Sequence, residues 1–327
     1  MATSPEDKVT GWLRKQVARR GLDLLGDDAA FLGDYGIAVT VDQQIAGVHF
    51  PPDLAPETIG RRLVAVNISD IAAVGGRPTF GFLALAAPPD YPVRRFLSAT
   101  EQALGDHDAR LAGGDIASSS QLSASLTLLG ERRRGSRWVK RSSARVGDRL
   151  WVGGTVGTSA LGRVLLENGA RHRGRKVQLP RGMSKSPAIR RCAVNAVERH
   201  LTPPNQLALG AWLSRRRRAA AIDISDGLLL DLERLCRASD VGAVVTVDRL
   251  PAVEGFGAAA QMVNADPVEL ALSGGEDYVL LFTLSPGIRP PAELGASLIG
   301  EIRRRPGIEL RGASPPSRTG WDHLAKR

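Results

Sequence analysis

Short β-branched and apolar runs alternate along the chain with stretches of helical spacing, which predicts a mixed α and β protein. Ile37 to Val41 is a strand-like run that closes on Asp42. From Ala55 to Val74 the period becomes helical: Ile59, Leu63, Val66 and Ala73 share a face, and Gly75-Gly76 stop it. Gly81 to Ala86 and Leu122 to Leu129 read as strands. Trp151-Val152, Ala219 to Ile224, Val244 to Val247 and Val279 to Thr283 predict further strands, and Leu228 to Ala238 a helix. The basic segment 170–187 has little periodicity and predicts an exposed loop. RSSARVGDRL, residues 141–150, reads as a connection, dividing the chain into 1–146 and 147–327.

A chain of 327 residues with 43% apolar and 24% charged positions has room for two folded domains. No apolar stretch approaches the roughly 20 residues that cross a bilayer, and MATSPEDKVTGWLRKQ lacks a signal pattern, so the expected residence is cytoplasmic. Cys192 and Cys236 have no C-x-x-C neighbour, which predicts buried free thiols. The net charge of +10 raises nucleic acid as a partner, but the excess sits in Arg132–Arg134, Arg215–Arg218 and Arg303–Arg305. No aromatic residues alternate with these runs, so they read as solvated turns.

The chemistry concentrates in aspartates at the ends of apolar segments: Asp28, Asp42, Asp115, Asp223 and Asp226. Asp70 lies inside an almost wholly apolar helix, where an acid has the poorest structural reason to be. Carboxylates gathered in an interior must protonate, pair with cations or bind metal, and magnesium suits oxygen ligands of this kind. Asp28 and Asp226 have helix capping as an equal alternative. Gly113-Gly114-Asp115 and Gly274-Gly275-Glu276-Asp277 each place an acid after two permissive residues, as a phosphate-facing loop would. Neither a G-x-G-x-x-G nor a G-x-x-x-x-G-K-[ST] is present, which excludes an ordinary P-loop kinase.

Taken in order, GDDAAFL, VTVDQQIAGVHFPPD, LVAVNISDIAAVGGRP, LAGGD, RSSARVGD, AIDISDGLLLDL and ALSGGEDYVLLFT resemble the thiamine-monophosphate kinase family. These stretches span Gly26 to Thr283. GVHF, VNISDIAAVGG and SGGEDY together separate that family from its relative aminoimidazole ribonucleotide synthetase. The resemblance implies a two-domain α/β (α+β) fold of the aminoimidazole ribonucleotide synthetase type, with mixed sheets and flanking helices. Residues 1–146 would bind ATP and metal and pair into a homodimer, with 147–327 as the C-terminal domain. It implies ATP-dependent phosphorylation of thiamine monophosphate to thiamine diphosphate with several Mg2+ ions and no nucleic-acid or membrane partner.

By position, the resemblance implies metal ligands at Asp28, Thr40, Val41, Asp42, Asp70, Asp115, Asp223 and Asp226. Gly114, Asp115, Arg141 and Ser225 fall at nucleotide-contacting positions, and His49, Glu276 and Trp321 where the acceptor would lie. Two features depart from the family pattern. Thr40-Val41-Asp42 stands where the family usually reads Thr-Thr-Asp or Ser-Thr-Asp, and the aromatic residue before Gly-Gly-Asp is absent, with His107 as the nearest substitute. A paralogue acting on another phosphate or carboxylate would carry the same acids; an RNA-binding or scaffolding protein would have no need of them.

Overall fold

The computed structural model describes residues 5–19, 25–33, 36–173, 176–183, 186–322 and 324. Its first part comprises α1 (Pro5–Ala18), β1 (Ala30–Leu32), β2 (Ile37–Ile45), α2 (Pro56–Ala73), β3 (Arg77–Ala87), α3 (Val93–Gly105), β4 (Arg110–Ser118) and β5 (Ser123–Glu131). The middle holds β6 (Arg149–Val152), α4 (Thr158–Glu167), β7 (Arg171–Arg173), β8 (Lys176–Gln178), α5 (Pro187–Leu201) and α6 (Leu207–Ser214). Then follow β9 (Ala219–Asp223), α7 (Leu228–Ser239), β10 (Gly242–Thr246), α8 (Phe256–Gln261) and α9 (Pro267–Ser273). The last strands are β11 (Leu280–Leu284), β12 (Ser297–Arg303) and β13 (Gly307–Arg311).

The first five strands form a sheet in the order β1-β2-β5-β3-β4, antiparallel except for the parallel pair β3 and β4. Strand β5 shows why the sheet is one-sided. Ala124, Leu126 and Leu128 are buried, while the alternate residues are less so, as the two-residue period demands. Helices α2 and α3 pack with Leu83, Leu85, Leu126 and Leu128 in one apolar core. The same core continues into α4, α5 and α8, so the two halves of the chain share it.

The second sheet runs β13-β10-β12-β6-β11-β9. Strand β9 is its edge, yet all five residues are buried, because α2 lies against it. An edge strand reading Ala-Ala-Ala-Ile-Asp is tolerable only when covered in this way. Helix α2 opens with Pro56, whose missing N–H costs nothing in a first turn, and ends before Gly75 at φ +73°. It is therefore the element on which both sheets converge.

The predicted helices and strands are present, with ends displaced by at most four residues. Segment 170–187 differs: Arg171–Arg173 and Lys176–Gln178 pair as a hairpin and α5 begins at Pro187, although four residues of the segment lie outside the described ones. Short antiparallel pairs with charged, alternating side chains carry little apolar signal to read. Cys192 and Cys236 are free and buried in α5 and α7. Among the described residues, no helix is long and apolar enough to cross a membrane.

Candidate active site

Asp70 projects from α2 where that helix meets β2 and β9. The hydroxyl of Thr40 on β2 donates to Asp70 Oδ2, and Ser69 Oγ donates to Asp223 Oδ2 at 2.7 Å. Asn67, one turn before Asp70, accepts from the Asp42 N–H at 3.3 Å and donates to the Leu63 carbonyl at 2.8 Å. Asp28 Oδ1 accepts from the Asp223 N–H at 3.3 Å. Oxygens of Asp28, Asp70 and Asp223 lie within 4.8 Å of one another.

Such crowding has a measurable price. Burial, then the carboxylates of Asp42, Asp223 and Asp28, hold Asp70 well above the usual carboxylate range, against the Thr40 hydrogen bond. Burial and then Asp28 do the same to Asp223, with Ser69 opposing. Asp42 is pushed up to about 6 by burial and by Asp226, against the pull of Arg62. These are oxygen donors of the kind a hard divalent cation takes, in a place where unneutralised charge is costly, so the donor set fits magnesium.

The loop after β9 is shaped by a residue the sequence reading did not single out. Asp231 in the first turn of α7 accepts from the N–H groups of Ser225, Asp226 and Gly227 at 3.1, 3.0 and 3.1 Å. Asp226 therefore does not cap α7; its carboxylate pairs with Arg234, which also holds Asp231 at 3.0 Å. Asp28 is likewise no cap, because Arg141 grips it. A second loop packs behind the first: the Glu276 N–H donates to the Ser225 carbonyl at 2.6 Å, and that of Tyr278 to Ile224 at 2.9 Å. A side chain at Gly275, at φ +70°, would meet the Ser225 carbonyl at 2.7 Å. Glu276 and Tyr278 themselves hold φ of +58° and +48°, left-handed conformations that cost energy and persist only where surroundings impose them.

Asp42, His49, Ser225, Asp226, Glu276 and Trp321 line one cleft of about 910 Å³ beside the carboxylates. His49 Nδ1 accepts from the Ile45 N–H at 3.0 Å, and the Trp321 N–H donates to the Asp226 carbonyl at 2.8 Å. The anticipated acids and the three anticipated acceptor contacts thus converge, with one exception.

Gly113-Gly114-Asp115 is not a loop but the interior of edge strand β4. Gly114 at φ +154° is required by the sheet, since a Cβ there would lie 1.9 Å from the Leu83 carbonyl oxygen. The pairings Asp42–Leu126, Leu126–Leu83 and Leu83–Gly114 put three strand spacings, about 14 Å, between Asp42 and Gly114. Asp42 shares the helix-covered face with Leu126, whereas Asp115 pairs with Ala84 on the uncovered face. Val41 also lies on that uncovered face, 60% exposed, in register with Thr127 and Phe82. His107 sits in the turn before β4, within 3.4 Å of Asn205 and eight residues ahead of Asp115 in the chain.

Several known proteins are similar to this chain over most of its length. Residues 26–131 match the family model "AIR synthase related protein, N-terminal domain". Thiamine-monophosphate kinase of Aquifex aeolicus is 30% identical over 307 residues, covering 92% of this chain and 93% of that protein. The Salmonella typhimurium enzyme of the same name is 37% identical over 268 residues, covering 80% and 75%. The solved structure described as AaThiL complexed with AMPPCP and TMP superposes with a TM-score of 0.84 at 28% identity, covering 98% of this chain and 97% of that one. With the aspartate cluster, the cleft and both sheets accounted for, the chain belongs to the thiamine-monophosphate kinase family.

Proposed function

We propose that this protein transfers the γ-phosphoryl group of ATP to thiamine monophosphate, giving thiamine diphosphate and ADP, in a site served by several Mg2+ ions. One observation carries the reading: three carboxylates within 4.8 Å of one another beside a cleft lined by His49, Glu276 and Trp321. The relative complexed with AMPPCP and TMP supports both substrates.

Asp28, Asp70 and Asp223 would hold magnesium, with Asp42 and Asp226 beside them and Thr40 orienting Asp70. Bound there, magnesium supplies charge neutralisation for the triphosphate. The acceptor phosphate already offers an ionised oxygen, so direct in-line attack needs no strong general base. His49 fits that account as a binder. Its Nδ1 is occupied as an acceptor from the Ile45 N–H, so that nitrogen is not available as a base. Arg141 holds Asp28 and, with Ser225 on the cleft wall, would contact the nucleotide.

The position of Asp115 favours a homodimer. Val41, Phe80 and Phe82 lie exposed on the uncovered face of the first sheet at 60, 49 and 42%. Pairing these faces about a two-fold axis would cover them and carry Gly114 and Asp115 toward a second copy's nucleotide. Residues 1–146 would then bind ATP and metal and dimerise, with 147–327 completing the acceptor wall, in a cytoplasmic enzyme. ATP consumption by purified protein across a panel of phosphorylated metabolites tests the assignment: thiamine monophosphate should stimulate most, and strong stimulation by another metabolite alone would reject it.

A further inference from the structure

Arg62 sits in the middle of α2 with 0% of its surface exposed, where an unpaired guanidinium would be untenable. Its donors leave in three directions. Nε reaches Gln44 Oε1 at 3.0 Å, Nη2 reaches Glu276 Oε1 at 2.7 Å, and Nη1 donates to the His200 carbonyl at the end of α5. Gln44 stands on β2, two residues beyond Asp42, and belongs to the wall built by the first sheet. Glu276 stands in the loop between α9 and β11, which builds another wall, and both residues line the cleft. Glu276 Oε2 lies 3.3 Å from His200 Nδ1. Burial keeps that imidazole neutral, holding it down at about 3, so the positive charge opposite Glu276 is supplied by Arg62.

We infer that Arg62 is a positioning residue for the acceptor: its guanidinium ties Gln44 to Glu276 and so sets the distance between the two walls of the cleft. A planar fork with pre-set donor directions can hold three partners at once, whereas a lysine at the same place is a single point charge. Arg62 does not touch the cleft itself; it acts through two residues that do. An acceptor held between those walls must present its phosphate at a separation fixed by this bridge, and loss of alignment is felt in rate as well as in binding.

The inference rests on the acceptor occupying this cleft, which turnover by the wild-type protein with thiamine monophosphate tests separately. In steady-state kinetics, Arg62→Lys should raise the acceptor KM about tenfold and lower kcat, leaving the KM for ATP within about twofold. In a double-mutant cycle with Glu276→Gln, the two acceptor KM effects should fail to add, because both changes cut the same bridge. If Arg62→Lys does not fold, Gln44→Leu takes its place in the cycle with the same expectation. A wild-type enzyme that turns over while the bridge variants shift both substrates' KM equally, or whose effects add, overturns the positioning role and leaves the proposed function standing.

Discussion

The Arg141 guanidinium grips the Asp28 carboxylate through two parallel bonds, Nη2 to Oδ1 at 2.8 Å and Nε to Oδ2 at 3.2 Å. One of the three crowded carboxylates thus carries its counter-charge within the protein, in the bidentate geometry at which arginine is strongest. Asp70 and Asp223 are met by hydroxyls instead, from Thr40 and Ser69, and these neutralise nothing. The cluster is asymmetric: Asp28 is anchored, while Asp70 and Asp223 carry charge that a cation would relieve.

Asp70→Asn should therefore abolish turnover by several powers of ten and yet leave a folded protein. Without divalent ions the variant should melt above the wild type by a few degrees, since a crowded buried acid has been replaced by a neutral amide. Enzyme assay and thermal melting on one preparation check both halves. Full activity would refute the metal role of this residue.

Magnesium binding should release protons and weaken as pH falls. Asp70, Asp223 and Asp42 have folded values raised above the unfolded carboxylate range, so in the metal-free protein they add stability at low pH. That contribution is lost as pH rises from about 4 toward and past 6, the value of Asp42, and magnesium then competes with fewer protons. Titration calorimetry in buffers of different ionisation enthalpy should show proton release on magnesium binding near pH 6, and none would contradict the assignment of these carboxylates.

Asp231→Ala should destabilise the protein by about 3 kcal/mol, on the order of 5 °C in Tm, because three loop N–H groups and Arg234 lose their acceptor together. Denaturant melts read this directly, and a change below about 0.5 kcal/mol would mean that water replaces the carboxylate freely.

Much of this site was legible in the sequence because its acids interrupt strong patterns. Asp70 breaks an apolar helix, Asp42 follows the apolar run that opens β2, and Asp223 closes the apolar strand β9, so each was conspicuous where it stood. Asp231 and Arg62 were not, though both are as buried: Asp231 sits in a first helical turn, where acids are ordinary, and Arg62 beside Arg61 reads as a solvated pair. Gly114 and Asp115 were misread as a loop. A double glycine signals close backbone approach, but sequence alone does not say whether a phosphate or the Leu83 carbonyl makes that approach.

Glu276→Gln and Trp321→Ala should raise the acceptor KM and leave the KM for ATP nearly unchanged, since both side chains line the cleft. Equal effects on the two substrates would assign them to loop and terminus packing instead.

Neutralising Arg215 to Arg218 should leave kinetic constants within about threefold, on the small effects usual for solvated charges. Arg216 stacks over Trp212 with its guanidinium 4.5 Å from the ring centroid, and Arg218 pairs with Asp148, so some loss of stability is expected. Submicromolar, salt-sensitive RNA binding lost in that variant would favour a nucleic-acid partner.

The most direct test is a rapid-quench single turnover with γ-labelled ATP, thiamine monophosphate and magnesium. Label should pass straight into thiamine diphosphate, one per ADP formed, with none on the denatured protein and none transferred after chelation of the metal. Stoichiometric label on the protein, or no label in thiamine diphosphate at millimolar acceptor, would contradict the account.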